Sequence, residues 1–355
     1  MQLPIHIVTG FLGSGKTTLL KRLLGSPAFA DTAVLVNELG EIALDHELLE
    51  RVDEATVVLA GGCLCCAVRN DLSEAIRSLH SRRERREIPR FRRLVIETTG
   101  LADPGPIVRT LVVEPVLRHH FRCANVIVTL DALHGDHELN RHPESVRQLA
   151  AANFIVITKT DLASDRQVAA IEDRARCLNP LARISRPASD DLAGLLEPFG
   201  QEAGAHPLIP DSNDARRTTP FEGAQRHETD SHAPDAHRVH AICVSAAAPL
   251  DWSAFGLWLS MLLHCHGPQV LRTKALLRVV GLDAPVLVES VQHTVHAPVH
   301  LQRWPSADRR SRIVVIVDGL PKEAIERSLA VFCNIEVSAA SRAERAPQSV
   351  GTAYR

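Results

Sequence analysis

Residues 10–17 read Gly-Phe-Leu-Gly-Ser-Gly-Lys-Thr, between an apolar run (Ile5–Thr9) and a stretch of helical periodicity (Thr17–Leu24). This fits G-x-x-x-x-G-K-[ST] in full, and in the strand–loop–helix setting that the motif needs. Gly10, Gly13 and Gly15 let the backbone curl so that its N–H groups point inward at phosphate oxygens, and Ser14 and Thr18 complete the cradle. Lys16 reaches the β and γ oxygens, Thr17 offers its hydroxyl to Mg²⁺, and the helix N-terminus adds partial positive charge.

The chain around this loop alternates in the same way. Strand-like runs fall at Ile5–Thr9, Ala33–Asn37, Thr56–Leu59, Arg93–Glu97, Asn125–Leu130 and Phe154–Thr158. Helical periodicity follows Lys16, Cys66 and Pro106, and recurs near Ser145–Ala151 and Arg166–Leu178. Such alternation predicts an α/β fold with a mostly parallel, doubly wound sheet over residues 1–200. Residues 201–238 are rich in Pro, Asp, Ser, Thr and His without an apolar period, and read as a linker. A smaller α+β domain is expected over 239–337. Its strands are predicted at Ala241–Ser245, Ala275–Val280, Val286–Val291 and Arg312–Val317, and its helices at Trp252–Leu263 and Lys322–Phe332. The first of these helices carries an apolar stripe of Trp252, Phe255, Leu259 and Leu262, and residues 338–355 read as a disordered tail.

Two further motifs bear on the nucleotide. Glu97-Thr98-Thr99-Gly100 ends an apolar run, where Glu97 could hold a Mg²⁺ water or the attacking water and the Gly100 N–H could meet a γ-phosphate. Thr158-Lys159-Thr160-Asp161 fits the [N/T]-K-x-D of GTP-binding proteins. Asp161 would accept from the guanine N1–H and exocyclic amine, and the Lys159 stem would lie along the base. Adenine presents neither donor, so that carboxylate would be left unpaired at a cost of a few kcal/mol.

Of eight cysteines, three crowd into Cys63-Leu64-Cys65-Cys66, which speaks for metal or redox chemistry in a reducing compartment rather than a disulfide framework. Three thiolates suit Zn²⁺, Cu(I) or a thiophilic Co(II), and an open fourth position suits a metal that comes and goes. A structural zinc loop and a redox thiol are the competing readings.

These motifs occur in the order found in CobW-like P-loop GTPases, which the chain resembles. The resemblance runs through Gly10–Thr17, Asn37-Glu38-Leu39-Gly40-Glu41, Gly62–Cys66, Glu97–Pro104, Thr158–Asp161 and Asn179–Ala182. It continues through Leu271-Arg272-Thr273-Lys274, Ser290–His293 and Ser311–Val317, although Ala275 stands where the family often has Gly. It implies a metallochaperone or metal-insertion factor with slow GTPase activity and a CobW-like C-terminal domain. GTP, Mg²⁺ and Zn²⁺ or another thiophilic metal are the implied cofactors, and a client metalloprotein the implied partner. By the same resemblance, Asn37–Glu41 is a mobile switch segment with Glu38 near Mg²⁺ or the catalytic water, so that Lys16, Glu38 and Glu97 are the expected catalytic residues; Asp45 lies in the same segment.

The rival readings are an ATP-dependent small-molecule kinase with a structural zinc loop, and a metal-buffering protein that holds nucleotide only as a structural ligand. A net charge of −2 provides no electrostatic reason to expect nucleic acid, and the run Arg82–Arg93 reads as a solvated loop or a docking face for an acidic client. No apolar run is long enough to span a membrane and no leader is evident, so the expected location is the cytoplasm, with homo-oligomerisation open. His206, His227, His232 and His237 in the linker, and His264-Cys265-His266, are secondary metal candidates. Cys123, Cys177, Cys243 and Cys333 read as core.

Overall fold

The computed structural model describes residues 2–26, 29–37, 57–61, 69–186, 194–195 and 239–335. Glu38, Asp45, Cys63, Cys65, Cys66, the linker 201–238 and the tail 338–355 lie outside the described residues.

Seven strands form the first sheet: β1 (Leu3–Gly10), β2 (Thr32–Asn37), β3 (Val57–Gly61), β4 (Arg93–Glu97), β5 (Phe121–Asp131), β6 (Phe154–Thr158) and β7 (Arg183–Ser185). Their order is β3-β2-β4-β1-β5-β6-β7, and every pairing is parallel. Alternate residues of each strand feed opposite faces. Val8, Val34, Val95, Ile127 and Val156 meet Leu19, Leu20 and Leu23 of helix α1 (Lys16–Leu24) on one side. Ile7, Leu35, Ile96, Val128 and Ile157 pack on the other, against α2 (Arg69–Glu84), α3 (Pro104–Val113), α6 (Pro143–Ala151) and α7 (Asp165–Leu178). Burial on both faces is why these strands read as unbroken apolar runs. The sequence reading missed β7 and two short helices, α4 (Pro115–His120) and α5 (Gly135–Arg141). Each is too short to show a period.

The second sheet is antiparallel along β11-β10-β9-β13-β8, with β12 (Val299–His300) paired to β10. Its other strands are β8 (Val239–Ala246), β9 (Val270–Leu277), β10 (Val286–Val291), β11 (Thr294–Val295) and β13 (Ser311–Asp318). Ile313, Val315 and Val317 face α8 (Trp252–His266) and α9 (Lys322–Cys333). Val314 and Ile316 face the other way, where Leu271, Leu276, Leu287 and Leu301 meet Ala150 and Leu181 of the first sheet's layer. The strand expected at Ala275–Val280 instead spans Val270–Leu277. Arg272 and Lys274 hid its start, because both are buried within it and break the apolar pattern. On α8 the buried stripe is Phe255, Trp258, Leu259, Leu262 and Leu263, and Trp252 is exposed rather than buried.

Charge is buried where the layers meet. Lys274 Nζ lies 2.9 Å from Glu289 Oε1. Burial pushes the Lys274 ammonium below its ordinary range, while Lys274 and Arg272 outweigh burial at Glu289 and hold its carboxyl low. Arg272 also donates to the carbonyls of Ala151 and Ala152, the latter at 2.8 Å, and so caps the C-terminal end of α6.

Candidate nucleotide site at the C-terminal edge of the sheet

Ligands of an open parallel sheet gather beyond the carboxyl ends of its strands. At that edge stand Gly10, Glu97, Asp131 and Thr158, the last residues of β1, β4, β5 and β6. Gly10, Gly13 and Gly15 have φ of 142°, 72° and 94°, values that side chains rarely tolerate. A Cβ on Gly10 would lie 2.3 Å from Thr129 Oγ1 and 2.5 Å from the Thr129 carbonyl oxygen. The N-cap of α1 is Gly15, so no side chain caps the helix and its first N–H groups point into the loop. Ser14 Oγ lies 2.7 Å from Thr129 Oγ1, which ties the loop to β5. Lys16 Nζ donates to the carbonyls of Gly10 and Phe11, at 3.0 Å each.

Two sequence-predicted partners come together here. Thr17 Oγ1 donates to Glu97 Oε1 across 2.8 Å, although 80 residues separate them. Glu97 is buried at the end of β4. A hydroxyl beside a carboxylate is an all-oxygen donor set, which fits a hard cation such as Mg²⁺. Thr98 Oγ1 donates to Thr9 Oγ1 at 2.7 Å, fixing the start of the loop that leads to Gly100. Gly100 abuts Leu12 so closely that a Cβ would come 2.6 Å from the Leu12 nitrogen.

The Thr158–Asp161 motif meets the same loop. Thr158 Oγ1 donates to the Ser14 carbonyl at 2.7 Å, and its methyl carbon is where a Cβ on Gly15 would make contact. Lys159 takes a left-handed backbone (φ 55°) and its Nζ sits 2.5 Å from Asp131 Oδ2. Asp161 is exposed at the rim. Thr18 lies in the first turn of α1.

Sequence reasoning missed Asp131, Glu138 and Gln148. Asp131 is buried, and its Oδ1 accepts from the Leu133 N–H at 2.8 Å while Oδ2 holds Lys159. The available signal was an acid directly after an apolar run, the same signal that singled out Glu97. Burial, and then the Asp131 charge, raises the Glu138 carboxyl above its ordinary range. Gln148, fully buried on α6, donates to the carbonyls of Gly100 (3.1 Å) and Ala102 (3.0 Å).

β3 ends at Gly61, paired with Asn37 and one residue beyond the row of Val8, Glu97 and Val36. The chain therefore enters residues 62–66 from the edge that carries the phosphate loop. His264, Cys265 and His266 are exposed at the last turn of α8. Among the described residues, no group of three or more His, Cys, Asp or Glu is set to hold a metal ion. Burial pushes the thiols of Cys123 up to about 12 and Cys243 up to about 11, which makes them poor ligands and nucleophiles. Among the described residues no helix is long and apolar enough to cross a membrane.

Residues 4–186 match the CobW/HypB/UreG nucleotide-binding domain, and residues 239–333 match the cobalamin synthesis protein cobW C-terminal domain. The chain is 30% identical over 331 residues to the zinc chaperone YjiA of Escherichia coli, covering 92% of this chain and 98% of that one. It is 31% identical over 363 residues to the zinc chaperone CobW of Pseudomonas aeruginosa, covering 92% and 91% of the two. The crystal structure of Zn(II)-bound YjiA GTPase from E. coli superposes with a TM-score of 0.66 at 26% identity, covering 94% of this chain and 99% of that one. With both halves matched in sequence and the whole matched in fold, the chain belongs to the CobW/HypB/UreG family.

Proposed function

We propose that the chain is a cytoplasmic GTPase that binds a thiophilic metal, zinc foremost, and delivers it to a client metalloprotein. Nucleotide state sets the metal affinity. In this reading Gly10–Thr18 cradle the phosphates and Lys16 bridges the β and γ oxygens. Thr17 and Glu97 hold Mg²⁺, directly or through water, with Glu38 joining from the switch. An ion held there would supply charge neutralisation for the phosphoryl group. The Gly100 N–H faces the γ-phosphate, and Thr158, Lys159 and Asp161 read guanine. Cys63, Cys65 and Cys66 bind the metal as cargo.

The observation that carries the reading is the shared edge. The Thr17–Glu97 contact and the Thr158–Ser14 contact lie along the carboxyl-end edge of the sheet, the edge at which β3 also ends, at Gly61. The relatives' names, zinc chaperone and Zn(II)-bound GTPase, make zinc the first metal to test. Reciprocal linkage requires that if nucleotide changes metal affinity, metal changes nucleotide affinity by the same factor.

The test is competitive Zn²⁺ titration of the full chain with GDP and with a non-hydrolysable GTP analogue. At least a tenfold difference, about 1.4 kcal/mol, is expected. Combined Cys63→Ser, Cys65→Ser and Cys66→Ser should abolish tight binding. Equal affinities in the two nucleotide states would remove the gating, and turnover of ATP in preference to GTP would favour the kinase reading.

A further inference from the structure

The loop from Glu97 to Asp103 is gripped from two sides, and one grip comes from the second sheet. Asp103 uses both carboxylate oxygens: Oδ1 accepts from the Gly105 N–H at 2.8 Å and caps α3, and Oδ2 accepts from Gln292 Nε2 at 2.7 Å. Gln292 follows β10 with a left-handed backbone (φ 48°), uncommon for a side-chain-bearing residue, and its own N–H donates to the Leu271 carbonyl at 3.0 Å. Its amide lies flat against Gly105, where a Cβ would come 2.3 Å from Gln292 Oε1. The other grip is Gln148, on the carbonyls of Gly100 and Ala102. Gln148 belongs to α6, whose C-terminal carbonyls are capped by Arg272. Arg272 and Val291 are register partners on β9 and β10. Neighbouring strands of the second sheet thus hold the loop directly at Asp103, and hold the helix that grips it at Gly100 and Ala102.

We infer that Gln292 is a positioning residue for GTP hydrolysis: through Asp103 it fixes the loop that carries Glu97 and Gly100 at the height needed by the γ-phosphate. The inference rests on the proposed role of that loop in the nucleotide site. It gives the second sheet a part in the phosphate chemistry across a single hydrogen bond. A loop misplaced by a fraction of an ångström loses transition-state contacts while ground-state contacts to the diphosphate persist.

The test reverses the polarity of the bond. Gln292→Glu sets a carboxylate against Asp103. Adding Asp103→Asn supplies an amide that donates to the new carboxylate, while its oxygen still accepts from the Gly105 N–H. With Gln292→Glu alone, kcat for GTP should fall about tenfold while KM and GDP affinity move less than about twofold. The double substitution should return kcat to within about threefold of the parent. Gln292→Ala should give a smaller loss, of about threefold, again in kcat. Unchanged kcat in Gln292→Glu, a kcat loss matched by an equal loss of GDP affinity, or no rescue by the pair would each overturn the inference. Glu97→Gln, measured alongside, separates the two layers. If it leaves GTP turnover intact, the nucleotide-site reading has failed. If it abolishes turnover while Gln292 is silent, the failure lies with Gln292 alone.

Discussion

Thr158 Oγ1 donates to the Ser14 carbonyl across 2.7 Å, so the Thr158–Asp161 motif is bonded directly to the Gly10–Thr17 loop. The same hydroxyl makes a second contact, to the Leu130 carbonyl at 3.3 Å. Thr158→Val keeps the shape and removes the donor. GDP and GTP analogue should both bind about 5–10-fold more weakly, the worth of one buried hydrogen bond. Fluorescent-nucleotide titration would measure it, with the unfolding midpoint as a check on folding.

Lys159 and Asp131 form an ion pair at the ends of β6 and β5. Asp131 is 1% exposed and Lys159 is its only ion-pair partner among the described residues. Lys159→Met leaves that carboxylate buried with backbone donors only, and should cost about 2–3 kcal/mol in urea unfolding. Asp131→Asn keeps an oxygen for the Leu133 N–H and should cost less, about 1 kcal/mol. Equal costs for the two would mean that the pair does not carry the stability assigned to it.

Gly10→Ala tests the phosphate loop by sterics. The new methyl would collide with Thr129, a strand residue with no room to retreat, at a φ of 142°. A loss of about 2–4 kcal/mol in stability is expected, with no measurable GTP binding in the surviving folded fraction.

His6 gives a pH dependence with a definite sign. It is buried in β1, and burial first, then the charges of Arg93 and Arg122, lowers its pKa to about 3. Below its unfolded value of 6.5 the unfolded chain binds a proton that the folded chain does not. Stability from this group is therefore lost as pH falls from 6.5 toward 3. At pH 5 the loss amounts to about 2 kcal/mol. His6→Gln should flatten the fall in unfolding free energy between pH 7 and pH 5 by that amount, as measured by urea denaturation at each pH.

What could be read from the sequence divides by range. Gly10–Thr17 and Thr158–Asp161 are contiguous, and their chemistry demands fixed residue types at fixed spacing, so each was legible alone. Glu97 was legible because an acid at the end of an apolar run marks a strand's carboxyl edge. Asp131 bears the same mark and was passed over, since no family motif pointed at it. Gln148 lies in a short helix whose buried face reads Ser145, Val146, Leu149 and Ala150, and nothing local says that a glutamine belongs there. Its partners are 46 and 48 residues away. Gln292 sits inside the matching run Ser290–His293, but its partner Asp103 is 189 residues distant, so no local signal gives it a role. Arg272 misled outright, since a buried arginine looks like a strand boundary until the helix end it caps is in view.

The capping of α6 by Arg272 bears on how the protein can be dissected. A fragment that stops after β7 would expose Ala150 and Leu181 to water and strip the Ala151 and Ala152 carbonyls of their donor. Its weakened turnover would then report a frayed helix as much as a missing function. Chimeras between relatives face the same demand: exchanging one half alone succeeds only when the recipient helix end and the donor arginine are matched in advance.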